Sequence, residues 1–558
     1  MSTSPMSRVA RVFPIARWLP TYQAKWIAPD LLAGLTVWAL VVPEAMAYAA
    51  IAGVPVQYGL YTIPLAVVGY LVFGTSKRLF VGPSSTVAVL SAATVAPLAV
   101  AGADHFIMLT AVLALLVGVL YVVLGLLRMG FIARFFAKPV LEGFILGLGI
   151  YMVVGQIYKV VGAPKPSGTT LQALWADITA FAEWNWPTVT VGIASLAILF
   201  ALSRFVPKVP GALVVVVLGI AAASLLNLGG HEVELVGRVP TGYSFVPWTG
   251  ITFDELWAMI PGALGIIVVG YAESLAVAKT YAAKDNAVID PNAELIGYGA
   301  ASIGAGLLQG FTTTGSLSKS AAAKEAGSRT PLTFVVVGAL VVLTTLFIAG
   351  VFEKLPEATL GAIVIHAVWG MIDVRKLTRL WTASVPDFWL ALGATLGVIL
   401  VGILAGIVIG IVLSLVLLIH RFDNPHVATL GQAPDGTRYE DLQRHPDARA
   451  VPGVLIYRIE APLIFANADI IADDLRSKVD SSEHRAVVLD FEAIYEIDTE
   501  GVDTLLRLHD QLHDRGITMV LARTHGDVLD YLQRDDGLDH LGPNATFATV
   551  RDAVDSVT

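Results

Sequence analysis

From Leu31 to His420 the chain is a succession of apolar segments, most of them long enough to cross a bilayer. In lipid every unpaired backbone N–H or C=O is costly. Spanning segments must therefore be helices, and any irregular stretch must be buried in protein or line a wet cavity. Two stretches depart from the apolar pattern. Gln309 to Thr330, QGFTTTGSLSKSAAAKEAGSRT, is too polar and too Gly-rich for an ordinary spanning helix. In it Thr312, Thr313, Thr314 and Gly315 read as extended backbone, Ser316 as an N-cap, and Leu317 to Ala326 as a short helix. Lys77 to Ala92, KRLFVGPSSTVAVLSA, has the same plan: Gly82 and Pro83 break the chain, Ser84 or Ser85 caps, and a short apolar helix follows.

Discontinuous segments at matching places in two halves of a chain point to a midplane binding site. Half-helix N-termini that face one another offer free N–H groups and partial positive charge, which suits a small anion. Lys319, in the first turn of the second short helix, adds a full charge. A single such break could equally be a re-entrant loop that only packs between helices.

The apolar segments run Leu31–Ala50, Gly59–Phe73, Ser85–Leu98 and Ile107–Leu127, then begin near Pro139, Val189 and Gly211. After a Gly/Pro-rich connection, Asn227 to Asp254, they resume at Pro261–Lys279, Asn292–Leu308 and the broken segment at Ser316. The last four begin near Leu332, Ala358, Asp387 and Ala405 and end at His420. That predicts fourteen membrane segments, seven and seven, and an odd number per repeat makes the repeats inverted. Alternate loops hold the cations: Lys77 and Arg78; Arg128, Arg134 and Lys138; Arg204 and Lys208; Lys279 and Lys284; Lys324 and Arg329; Arg375, Lys376 and Arg379. By the positive-inside rule these loops and both termini face the cytoplasm, and the expected location is the cell (plasma) membrane. The basic start, MSTSPMSRVARVFPIARW, reads as a cytoplasmic tail, not a cleaved signal.

With 558 residues, 56% hydrophobic and 15% charged, the chain has the composition of a polytopic membrane protein and not of a soluble enzyme. The absence of cysteine excludes disulfides, thiolate metal sites and cysteine nucleophiles. The expected divisions are an N-terminal tail (1–29), a first repeat (30–226), an extracytoplasmic loop (227–254), a second repeat (255–421), a linker (422–453) and a soluble domain (454–558). In the last of these, VLIYRIE, AVVLDF and ITMVLA read as strands alternating with helices at Ile470–Val479 and Gly501–Arg515, a small α/β domain.

Several stretches of the membrane part resemble the sulfate permease (SulP) family: DLLAGLTV at 30–37, VPEAMAYAAIAGVPVQYGLY at 42–61, FGTSKRLFVGPSS at 73–85, AESLAVAKTYAAK at 272–284, IDPNAELIGYG at 289–299 and TGSLSKSAAAKEAGSRTP at 314–331. VVLDFEAIYEIDTEGVDTL, at 487–505, resembles the STAS domain. The resemblance implies inverted seven-segment repeats divided into core and gate domains, elevator-type alternating access, a homodimer, and a substrate anion held between the third and tenth segments. It implies substrate contacts at Glu44 and Tyr48, at Pro83, Ser84 and Ser85, and at Ser316, Leu317, Ser318 and Lys319, with Glu273 as a coupling residue. In this family position 44 is more often Gln and position 319 more often Arg. Lys is a point charge without the guanidinium fork.

Glu44 and Glu273 are carboxylates within apolar segments, where ionised groups mark ion or proton pathways or pair with a cation; Glu273 and Lys319 could form such a pair. Tyr48, one turn beyond Glu44, either donates to an oxyanion or packs. His366, in AIVIHAVWG, either titrates near neutral pH or, as the expected reading, makes an interhelical hydrogen bond. Thr499, in DTEG, is either an N-cap or, by the STAS resemblance, a phosphorylation site. No His/Asp/Glu spacing marks a metal site, and no cofactor or nucleic-acid partner is expected.

Together these features predict a secondary active transporter of a small anion such as sulfate or bicarbonate, coupled to protons. Sodium-coupled bicarbonate uptake, anion exchange and dicarboxylate transport are the alternatives within transport, together with a nucleobase permease of the same fold. An anion-gated channel or sensor is the alternative outside it, and the soluble tail could dock a regulatory protein.

Overall fold

The computed structural model describes residues 13–99, 102–131, 138–166, 168–207, 209–285, 287–423 and 425–558. The expected tail therefore lies partly outside the described residues, as do the loop cations Arg134 and Lys208. Contacts divide the chain into two units, Met1–Ser414 and Leu415–Thr558.

The first unit is helical. In chain order its main elements are α1 (Ile27–Ala52), α2 (Gln57–Tyr61), α3 (Pro64–Phe73), β1 (Phe80–Gly82), α4 (Ser85–Val95), α5 (Ala103–Leu126), α6 (Lys138–Val161), α7 (Thr170–Thr179), α8 (Trp186–Phe205) and α9 (Gly211–Leu225). Then come α10 (Phe253–Lys284), α11 (Pro291–Leu307), β2 (Thr314–Ser316), α12 (Leu317–Glu325), α13 (Leu332–Leu343), α14 (Glu357–Trp369), α15 (Val374–Ala383), α16 (Val385–Leu396) and α17 (Ile403–Asp423). Seven helices among the described residues are long and apolar enough to cross a membrane. Every expected segment has a helical counterpart. α10, expected from Pro261, starts eight residues earlier at Phe253. The reason is a capping box: Thr252 Oγ1 accepts from Glu255 N, and Glu255 Oε2 accepts from Thr252 N at 2.8 Å.

These helices pack as two bundles. In one, α5 and α3 flank α11, α1 lies against α13, α12 and α4, and α10 lies against α4 and β2. In the other, α6 packs on α14 and α16, and α8 on α14 and α9. Small residues let the backbones approach: a Cβ added at Gly118 on α5 would lie 2.6 Å from Ile303 Cγ1 on α11, inside contact distance. Two buried carboxylates staple the first bundle. Asp30 accepts from the Arg329 and Thr330 amides and from the Thr330 and Thr333 hydroxyls. Glu294 accepts from the Thr75 and Ser76 amides and the Tyr70 hydroxyl. Each is acceptable as a buried charge because several donors converge on it.

The second unit carries a six-stranded sheet in the order β4 (Tyr439–Asp441), β3 (Val427–Gln432), β5 (Val454–Ile459), β6 (Ala486–Asp490), β7 (Thr518–Ala522), β8 (Thr546–Phe547). β5 to β8 are parallel, and β3 is antiparallel to β4 and β5. Its helices are α18 (Ala468–Asp480), α19 (Thr499–His513), α20 (Gly526–Arg534), α21 (Gly537–Leu541) and α22 (Val550–Val557). Side chains alternate between two cores, as the pleat requires. Leu455, Tyr457, Val487 and Leu489 meet residues of α18 and α19, while Ile456, Val488 and Val520 meet residues of α22.

The expected linker, residues 422–453, is corrected here. Its stretch Val427–Gln432 alternates in burial as a strand and pairs with β5, with Val427 opposite Ile459. The Pro and Gly that suggested a linker form the β3–β4 turn, where Gly436 has φ +66.

Candidate functional site

β1 and β2 pair antiparallel, with Phe80 opposite Ser316, Val81 opposite Gly315 and Gly82 opposite Thr314. An antiparallel crossing sends the chain into α4 and α12 in opposite senses, so the two short helices start from opposite ends of this three-pair ladder. Pro83 has no N–H to donate. Ser84, in extended backbone, is the N-cap residue of α4 but makes no side-chain capping bond, and Ser85 opens the helix. Pro83, Ser84 and Ser85 are all buried.

On the other strand, Ser316 caps α12 by accepting from the Lys319 amide at 3.5 Å, and its hydroxyl lies 3.2 Å from that of Ser318. Side chains lock the crossing in place. Ser274 of α10 accepts from the Gly315 amide at 2.7 Å, and Ser320 accepts from the Phe80 amide at 2.9 Å while donating to Ser316 O at 2.6 Å. Leu317 and Ser318 are exposed, so the first turn of α12 is open on one side.

Lys319 is only 2% exposed. Its ammonium is ion-paired with Glu44 Oε2 and sits 5.1 Å from the centroid of the Tyr48 ring. Tyr48 donates to the same Glu44 oxygen at 3.1 Å. Pro43, inside α1, precedes Glu44 and leaves a carbonyl one turn back without its helical donor. The pairing of Glu273 with Lys319 is thus corrected: the contact partner is Glu44. Glu273, on α10, lies near Thr86 in the first turn of α4 and near Lys319. Glu44, Tyr48, Ser84, Ser85, Ser316, Ser318, Lys319 and Glu273 therefore surround one crossing point.

Thr86, Ser274 and Ser320 belong to this arrangement and were missed in the sequence. Each directly follows a position singled out there (Ser85, Glu273 and Lys319), which was the available signal. Thr312 and Thr314 have buried hydroxyls without a protein partner. His366, expected to make an interhelical hydrogen bond, instead packs edge-on to Phe200, with ring centroids 5.1 Å apart. His105 Nε2 lies 2.7 Å from Glu255 Oε1, outside this arrangement.

In the second unit Thr499 is not the N-cap of α19. Asp498 holds that place, accepting from the Gly501 amide at 2.8 Å and from the Phe465 amide at 2.8 Å. A carboxylate satisfies both donors and complements the helix dipole better than a hydroxyl. Thr499 Oγ1 lies 3.0 Å from the Tyr531 hydroxyl.

The starts of two short helices and one buried cation thus gather around one short strand crossing. The sulfate permease family description matches residues 27–394. The chain belongs to that family. The STAS domain description matches residues 445–553. A probable sulfate transporter of Mycobacterium tuberculosis is 33% identical over 549 residues, covering 97% of this chain and 98% of the relative. The chloroplastic sulfate transporter 4.1 of Arabidopsis thaliana is 32% identical, covering 97% and 82%. The fold is that of murine Solute Carrier 26 family member A9, an anion transporter solved in the inward-facing state (TM-score 0.91, 22% identity, covering all of this chain and 96% of that one). The transmembrane domain of the cyanobacterial bicarbonate transporter BicA covers 71% of this chain with a TM-score of 0.62 at 21% identity. This chain is thus a multi-pass membrane protein of a family of anion transporters, which are not enzymes, and the nucleobase permease is set aside.

Proposed function

We propose that this protein is a secondary active transporter that carries sulfate, or an oxyanion of similar size, into the cell with protons. The observation that carries this is Lys319, a buried cation in the first turn of one half-helix, whose strand pairs with the strand that leads into the other. The partial charges of two helix ends and one ammonium favour a doubly charged tetrahedral anion, whose oxygens accept from several N–H groups at once. The names of the relatives support the same substrate class.

Glu44 is the internal counter-ion in this scheme. With no anion bound it neutralises Lys319, and the substrate displaces it. Glu273 takes up a proton as the anion enters, which removes one negative charge from the loaded site. Moving a less charged site through the low-dielectric barrier costs less. The first bundle, carrying the site, slides against the second in an elevator-type cycle; both termini and the STAS domain face the cytoplasm of the plasma membrane, and the protein acts as a homodimer.

Purified protein in liposomes, given labelled sulfate under separate proton and sodium gradients, tests this. Concentrative uptake driven by an inward proton gradient is expected. Uptake that follows only sulfate's own gradient would make the protein a channel. Bicarbonate uptake driven by sodium, without sulfate uptake, would replace both substrate and coupling ion.

A further inference from the structure

The side-chain cluster left unused by the transport site lies on the STAS domain. His509 and Asp510 are on α19, and His540 is on α21. His540 Nε2 lies 2.7 Å from Asp510 Oδ1, and His509 Nδ1 lies 3.4 Å from the same oxygen. The three potential donor atoms all fall within 4.8 Å of one another. The rings of His509 and His540 are 5.8 Å apart at 74°, so two imidazoles approach one carboxylate oxygen from different directions.

From these positions we infer that His509, Asp510 and His540 bind a divalent transition-metal ion, Zn²⁺ in the first instance. A zinc ion needs donors at about 2.0–2.2 Å, which places tetrahedral donors roughly 3.3–3.6 Å apart. Donors already gathered within 4.8 Å reach that spacing by side-chain rotation alone. The set is two imidazoles and one carboxylate, which selects zinc, copper or nickel over magnesium or calcium, whose sites are built from oxygen. The scaffold is rigid: Leu508 and Leu512 of α19 and Leu541 of α21 are buried in one core, fixing the two helices with respect to each other. His513, one turn beyond His509, stacks parallel to it with centroids 6.1 Å apart and offers a further nitrogen on the same face.

Nothing catalytic surrounds the cluster, so the ion acts as a clamp between α19 and α21. Asp510 and His540 lie 56% and 45% exposed, so ions reach them from solvent and their substitution leaves the core untouched. The cluster escaped the sequence reading because His540 is separated from His509 by a strand and a further helix.

The full chain, purified without a polyhistidine tag and stripped with chelator, is dialysed against Zn²⁺ or Mg²⁺ and its bound metal counted. One Zn²⁺ per chain at micromolar concentration is expected, with no comparable Mg²⁺. His509→Ala/His540→Ala is expected to weaken Zn²⁺ binding at least tenfold, as is Asp510→Asn, with circular dichroism unchanged. Zn²⁺ is also expected to slow hydrogen exchange in α21 of the wild type and not of the double variant. Absence of Zn²⁺ binding, equal binding by the double variant, or equal binding of Mg²⁺ would each overturn the site.

Discussion

Lys319 and Glu44 come from opposite halves of the chain and meet as an ion pair at the crossing of β1 and β2, with Tyr48 donating to the same carboxylate. A buried pair of this kind satisfies both charges but adds little net stability, because desolvation offsets the attraction. In the proposed transport cycle its consequence is competition, because the Lys319 ammonium already has Glu44 as a partner.

Glu44→Gln removes that competitor while keeping a hydrogen-bonding side chain next to Tyr48. Apparent affinity for sulfate is expected to rise about tenfold, equivalent to about 1.4 kcal/mol. The KM of tracer uptake in liposomes reports it; an unchanged or higher KM would make Glu44 a helix-locking residue only.

Glu273→Gln mimics the protonated carboxyl permanently. Binding and exchange of sulfate are expected to persist while acceleration by an inward proton gradient is lost. Uptake by the variant with the pH dependence of the wild type would remove Glu273 from coupling, leaving Glu44 as the next carboxylate to test.

Asp490, fully buried in the second unit, accepts from Arg458 Nε at 2.7 Å and from Arg523 Nε at 2.9 Å at the C-terminal ends of β5, β6 and β7. Asp490→Asn leaves the two guanidinium groups with only the exposed Glu492 as a carboxylate partner, at a cost of about 3 kcal/mol. Amides of β6 are expected to exchange hydrogen roughly a hundredfold faster, since about 1.4 kcal/mol is a factor of ten.

Every residue proposed to touch the anion precedes Pro331. Removal of the sheet domain from Val427 onward is therefore expected to leave sulfate binding within about threefold of the intact chain, a shift of less than 1 kcal/mol. Because β3 and β4 belong to the sheet, a deletion starting at Val454 would strand both and expose their unpaired edges. Isothermal titration of the detergent-purified truncation is the measurement, and loss of binding by a well-folded product would draw the sheet domain into the site.

The broken segments were legible because Gly82-Pro83 and Gly315-Ser316 interrupt apolar runs in a way that lipid forbids unless the backbone is otherwise satisfied. What the sequence left open was pairing. The sequence offered Glu273 as the partner of Lys319, and only the packing of α1 against α12 shows that the partner is Glu44. Local chemistry misled in two places. The Pro and Gly after β3 suggested a linker where they make a hairpin turn, and Thr499 read as a cap although Asp498, one residue earlier, is the better acceptor. The metal-ligand cluster depends on tertiary proximity of two helices, which no spacing rule contains.

Lys319→Ala tests the central claim most directly, read as sulfate-dependent heat in titration of the purified protein and as labelled sulfate uptake in liposomes. Half-helix dipoles alone supply only partial charge, so binding is expected to weaken at least a hundredfold, about 2.7 kcal/mol, with uptake near background. Sulfate binding and uptake by Lys319→Ala equal to those of the wild type would contradict an anion site at the crossing of β1 and β2.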